Sequence, residues 1–169
     1  MTPILDEHTL EFVSRSPDQT QRLGARLGAQ LQGGDVICLE GSLGAGKTCL
    51  TQGIGRGWGV GQTLTSPTFV LVREYTRPAD DTLKLYHVDL YRISGAKEAF
   101  SLGMDDFLGD GHAICVIEWA ERVRSLVSSE HLWVKLEFID ETRRSLRFAA
   151  QGKRHTKLLR EFRRVAFGA

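Results

Sequence analysis

The eight residues Gly41-Ser42-Leu43-Gly44-Ala45-Gly46-Lys47-Thr48 constrain this chain more than any other stretch. They fit the phosphate-loop pattern G-x-x-x-x-G-K-[S/T] in full. Glycines at 41, 44 and 46 permit positive φ and a close approach of backbone to phosphate oxygens. Successive amides then form an anion-binding nest, to which a following helix adds its positive end. In such a loop Lys47 reaches the β- and γ-phosphates and the Thr48 hydroxyl ligates Mg²⁺. A chain of this length and composition shows the pattern by accident on the order of 0.01 times. The flanks agree with the loop: Val36–Leu39 is a short apolar run that reads as a buried strand, and residues 46–58 carry a helical pattern.

The rest of the chain reads as one domain over residues 1–169, because four prolines and no repeat or linker interrupt it. With 41% hydrophobic and 25% charged residues it has enough apolar surface for a core without a disulfide or metal. Leu23, Leu27 and Leu31 place a helix over 18–31, capped by Asp18 and ended by Gly33–Gly34. Thr68–Tyr75, Leu83–Tyr91, Ala113–Trp119, Leu132–Ile139 and Ser145–Ala149 read as strands. Shorter helices are expected near 96–102, 105–108 and 120–127, and a basic amphipathic helix over 154–165. Only residues 140–144 separate the last two strands, which predicts an antiparallel hairpin. The expected architecture is α/β, a phosphate-loop NTPase-like three-layer sandwich with a mixed central sheet and helices on both faces. Three cysteines without a C-x-x-C pair argue against a disulfide or zinc framework. No apolar stretch approaches the ~18 residues of a membrane span, so a cytoplasmic location with no membrane is expected.

A phosphate loop needs a carboxylate at the end of a neighbouring strand to complete the Mg²⁺ shell. Two runs end that way, Ile114–Ile117 at Glu118 and Leu85–Val88 at Asp89, and spacing alone does not rank them. The hydroxyl-rich stretch Thr65-Ser66-Pro67-Thr68 fits a γ-phosphate sensor and equally an ordinary turn. Guanine recognition uses an Asn-Lys-x-Asp element, and this chain holds no asparagine, which favours ATP. His87, Trp58, Trp119 and Trp133 read as packing residues. Residues 143–169 hold nine Lys/Arg against the one acid Glu161, a net of +8, while the remainder carries −7. That asymmetry fits either a polyanionic partner or a solvated basic helix.

Taken in order, GSLGAGKT, SPTF (66–69) with LVREY (71–75), HVDLYR (87–92), GMDDFL (103–108) and ICVIEWAER (114–122) resemble the bacterial TsaE family. The likeness spans about residues 10–140. It implies an α/β ATPase of tRNA threonylcarbamoyladenosine formation, weakly active alone. Such an ATPase resets a TsaB–TsaD pair, whose TsaD modifies adenosine 37 of tRNAs reading ANN codons. It further implies ATP and Mg²⁺ as cofactors, with Gly41, Ser42, Leu43, Gly44, Ala45, Gly46, Lys47, Thr48 and Cys49 around the nucleotide. Thr48 and Glu118 would hold the metal, and Lys47, Asp89, Glu118 and Thr68 would serve the reaction. The region from about Phe12 to Thr20 would close over the adenine. Two departures stand out: Ser42 replaces the family's usual Asp, and Ala120 its frequent Pro. The basic C-terminal helix lies outside the resemblance and is a candidate contact for tRNA. A small-molecule kinase, and a tRNA-binding module switched by nucleotide, are the alternatives that the same residues allow. Truncation after Gly152 is expected to separate the helix from nucleotide binding.

Overall fold

The protein is described by a computed structural model over residues 6–65 and 71–169. In chain order the elements are β1 (Thr9–Ser14), α1 (Pro17–Gly28), β2 (Val36–Glu40), α2 (Lys47–Trp58), β3 (Val72–Arg77), β4 (Asp80–Asp89), α3 (Ala96–Ser101), α4 (Met104–Leu108), β5 (Ala113–Glu118), β6 (His131–Phe138), β7 (Arg144–Gln151) and α5 (Lys153–Phe167). The strands form one sheet in the order β1-β7-β6-β2-β5-β4-β3. β4, β5, β2 and β6 run parallel, and antiparallel partners close both edges. This is the mixed sheet that the sequence predicts, including the β6–β7 hairpin.

Alternation along the central strands gives both faces an apolar surface, as a sheet covered on two sides requires. Ile37 and Leu39 of β2, Ile114 and Val116 of β5 and Leu132, Val134 and Leu136 of β6 face α1, α2 and α5. Val36 and Cys38, Cys115 and Ile117, and Trp133 face the thinner layer of α3, α4 and the turn after β5. Burial among these side chains raises the Cys38 thiol far above its ordinary value and Cys115 to about 12, so both stay protonated packing groups.

Helices α1 and α2 touch backbone to backbone. A Cβ on Gly53 would lie 2.2 Å from the Gln21 carbonyl oxygen, and one on Gly28 would lie 2.1 Å from that of Ile54. The contact holds α1 against the middle of α2, the helix into which the phosphate loop leads.

Several boundaries differ from expectation. α1 is capped by Ser16, whose Oγ accepts from the Gln19 amide at 3.1 Å, with Pro17 next; Asp18 is simply an acid in the first turn. It ends at Gly28, ahead of Gly33–Gly34, in tight bonds such as Leu31 N to Gly28 O at 3.2 Å. The helix expected over 120–127 is only a 3₁₀ turn, Ala120–Val123, continued by a Leu126-to-Val123 bond of 2.8 Å. β3 starts at Val72, and the earlier part of that expected strand falls largely outside the described residues.

The basic helix is no appendage. Leu158, Leu159 and Phe162 of α5 are fully buried in the larger core, and Phe148 packs on Phe162 at 5.2 Å. Truncation after Gly152 would strip that core, so it cannot separate the helix from nucleotide binding. At the start of α5, Arg154 forks onto the buried Asp35 (2.9 and 2.6 Å), and the Val36 amide donates to His155 Nε2 at 3.1 Å.

That last bond requires neutral imidazole, and burial lowers the His155 pKa against the weaker pull of Asp35. The folded value lies below the unfolded one, so the unfolded chain binds the extra proton first. Stability from this site is therefore complete above the ordinary histidine value and is lost as pH falls from there through the lower folded value. Denaturant melts below about pH 6.5 should show a smaller pH slope for His155→Gln than for the wild type; identical slopes would exclude His155 as a source.

Candidate functional site

The C-terminal ends of β2, β4, β5 and β6 share one edge of the sheet, the place where open α/β sheets bind ligands. The Gly41–Thr48 loop leaves β2 there. A Cβ on Gly41 would sit 2.5 Å from the Leu136 carbonyl oxygen, so this entry is closed to any larger residue. Gly44 and Gly46 have φ of +79° and +102°, which turns the loop into the first turn of α2. No side-chain hydrogen bond caps that helix at Gly46, and its own first turn holds no acid.

Lys47 is buried, and its Nζ donates to the carbonyls of Gly41 (2.5 Å) and Ser42 (2.9 Å). Desolvation pulls its pKa down; Glu118, Glu121 and Asp89 oppose that. The Trp119 ring covers the amine, 4.0 Å from centroid to Nζ. Trp119 reaches this position with φ of +62°, the left-handed conformation that among the described residues no other non-glycine adopts. Tyr91 packs on the same ring at 5.1 Å, with the Arg122 guanidinium at 4.9 Å. Arg122 also donates to the carbonyls of Leu90, Tyr91 and Ile93, tying the end of β4 to the turn after β5.

The two candidate carboxylates are direct partners in the sheet register, Asp89 opposite Glu118. Glu118 is buried between two donors: Thr48 Oγ1 donates to Oε2 at 3.0 Å, and His87 Nε2 donates to Oε1 at 2.9 Å. Asp89 is half-buried, accepts from the Tyr91 amide at 3.0 Å as a turn cap does, and has its pKa raised chiefly by burial. Hydroxyl, carboxylate and phosphate oxygens are the donor set Mg²⁺ prefers. Among the described residues no cluster of three or more His, Cys, Asp or Glu is arranged to hold a metal by itself. A site built from Thr48, Glu118 and a ligand's phosphates fits both facts.

The structure thus brings Gly41, Ser42, Leu43, Gly44, Ala45, Gly46, Lys47, Thr48, Asp89 and Glu118 to one edge. Ser42 and Leu43 are exposed and Ala45 is buried. Cys49 is tied to the start of α1, its Sγ donating to the Pro17 carbonyl at 3.3 Å. Phe12 packs against Phe167 at the end of α5, ring centroids 5.1 Å apart. Thr68 and Ser66 lie outside the described residues. His87 and Trp119, which the sequence marks only as packing residues, stand against Glu118 and Lys47. For His87 a signal existed: it stands two residues before Asp89 on a strand, hence on the same face. For Trp119 the signal was slight, since only the need to turn immediately after Glu118 marks it.

Comparison with known proteins agrees with this geometry. The family model of threonylcarbamoyl adenosine biosynthesis protein TsaE matches residues 14–146. The Bacillus subtilis tRNA threonylcarbamoyladenosine biosynthesis protein TsaE is 34% identical over 155 residues, covering 92% of this chain and 94% of the relative. The Treponema pallidum protein of the same name is 37% identical over 140 residues, 83% of this chain and 100% of the relative. The crystal structure of Bacillus subtilis YdiB superposes with a TM-score of 0.71 at 33% identity, over 92% of this chain and 95% of that one. The chain belongs to the TsaE family.

Proposed function

We propose that this protein binds ATP with Mg²⁺ in the Gly41–Thr48 loop and hydrolyses it in support of a TsaB–TsaD complex forming threonylcarbamoyladenosine at position 37 of tRNAs that read ANN codons. The observation that carries the reading is the meeting of Thr48 and Glu118 at 3.0 Å at the start of a helix that no side chain caps. In hydrolysis a water attacks the γ-phosphorus, the bond to the β-γ bridging oxygen breaks, and ADP, phosphate and a proton leave. Thr48 and Glu118 hold Mg²⁺, which supplies charge neutralisation on the phosphates. Lys47 exchanges its loop carbonyls for phosphate oxygens. Asp89, beside Glu118 and partly desolvated, orients the water. His87 is a positioning residue that fixes the Glu118 carboxylate.

Glu118→Ala and Asp89→Ala are each expected to lower ATP turnover more than tenfold, on the order of 1.4 kcal/mol or more of barrier. His87→Ala should lower it less, and the double variant with Glu118→Ala should be no worse than Glu118→Ala alone, because one carboxylate carries both effects. Single-turnover phosphate release measures this; additive losses would separate His87 from Glu118.

The basic helix supports a contact with tRNA. Arg154 and Arg163 are engaged by Asp35 and by the carbonyls of Asp6 and Thr9. Lys153, Lys157, Arg160 and Arg164 are exposed and recur at helical spacing along one face. Lys157 faces Glu161 at a loose 3.8 Å. Reversing Lys153, Arg160 and Arg164 to Glu should cost at least tenfold in tRNA affinity and flatten its salt dependence, measured by filter binding at several salt concentrations. An unchanged salt slope would leave α5 as a solvated face. The reading as a whole is tested by adding TsaB, TsaD and tRNA to the protein: ATP turnover should rise, and a flat response would contradict it.

A further inference from the structure

The β6–β7 hairpin delivers a second cation to the phosphate loop. Arg144, the first residue of β7, lies over α2's first turn, its Cγ 3.8 Å from where a Cβ on Gly46 would stand. Its Nε donates to the Gly44 carbonyl at 3.2 Å, and its Nη1 to those of Asp140 (2.6 Å) and Arg143 (2.9 Å). The guanidinium also rests on the Phe138 ring, 4.6 Å from its centroid. Three of the five N–H donors of an arginine are thereby used on backbone oxygens, and among the described residues neither Nη2 proton has a partner.

Nor does any carboxylate of the described residues form an ion pair with Arg144, whereas Arg143, its neighbour, pairs with Asp140 at 2.6 Å. Side-chain entropy and the helix dipole both oppose this placement. A flexible cation is pinned beside the positive end of a helix whose first turn has no acid. An anion seated on that helix end reverses the sign of the interaction, because it faces the helix amides and a pre-oriented fork at once.

We propose that Arg144 is a second phosphate-binding cation of this site, acting from the hairpin side of the loop while Lys47 acts from within it. The assignment rests on the reading that the loop takes a nucleotide. Arg144 holds the Gly44 carbonyl outward, which keeps the neighbouring amides facing the ligand, and its free Nη2 donors take oxygens of the phosphate chain. An arginine fork suits phosphate in a way that a lysine does not.

Calorimetric titration of the full chain with ADP and with ATP, for the wild type and for Arg144→Ala, Arg144→Gln and Arg144→Lys, tests this. The Ala and Gln variants should each bind both nucleotides about tenfold or more weakly, with the gap to wild type narrowing as salt rises. Arg144→Lys should recover part of the loss. Thermal melts without nucleotide report any damage to the fold separately. Wild-type affinity in Arg144→Ala, or full recovery in the neutral Arg144→Gln, would overturn the role, the second by showing that only a hydrogen bond to the loop matters. A wild-type protein that binds neither nucleotide would overturn the parent reading and this one together. With Lys47→Ala titrated alongside, loss confined to that variant would overturn Arg144 alone.

Discussion

Lys47→Ala should bind ATP poorly and lose turnover on the order of 10²–10³-fold, the scale found when one preorganised charge-stabilising donor is removed from an active site. The buried amine is set against two loop carbonyls and an indole face, with its pKa lowered by desolvation, so its hydration is already largely stripped. Moving from these neutral partners to phosphate oxygens gains charge-assisted bonds at little further desolvation cost. The fold should tolerate the change: the carbonyls of Gly41 and Ser42 lie at the mouth of the loop, within reach of water, and the stability loss should stay near 1 kcal/mol. Equilibrium titration with ATP, paired with a denaturant melt, separates the two effects. A variant with wild-type nucleotide affinity would remove Lys47 from the site.

The largest effect on stability is expected far from that edge. Asp35 is buried, accepts both arms of Arg154 and also takes the Gln32 amide at 2.8 Å. Removing one partner of such a pair costs about 3–5 kcal/mol, because the other charge is left desolvated. Arg154 is only 22% exposed at its side chain, and its remaining bonds to the Gln30 carbonyl and Glu161 (3.1 and 3.9 Å) do not replace the fork. Asp35→Ala should therefore lower the thermal midpoint by on the order of 10 °C. The damage would spread to α5, whose first turn this pair holds against the start of β2. Scanning calorimetry checks it, and a shift within 2 °C of wild type would mean that Arg154 finds water without penalty.

The loop, its Lys and Thr, and the two strand-end acids were legible because each is a local pattern: glycine spacing, or an apolar run that stops at a carboxylate. The sheet was legible through β-branched runs, and the β6–β7 hairpin through the shortness of its connection. What the sequence hid are the long-range meetings. Nothing local shows that His87 and Glu118, 31 residues apart, share a hydrogen bond, or that Arg144 reaches Gly44 across 100 residues. The basic run misled for the same reason. As composition it is a uniform tail; folded, it divides into Arg144 at the loop, Arg154 and Arg163 tied to the body, and an exposed stripe on α5. Helix ends were misplaced where tight i→i+3 bonds and a left-handed Trp119 override propensity.

A crystal structure grown with Mg²⁺ and a non-hydrolysable ATP analogue puts the main proposition to its hardest trial. The phosphates should accept from the amides of residues 44–48, and the cation should bridge the Thr48 hydroxyl to the Glu118 carboxylate. An analogue bound elsewhere, or a metal beyond the reach of both side chains, would contradict it.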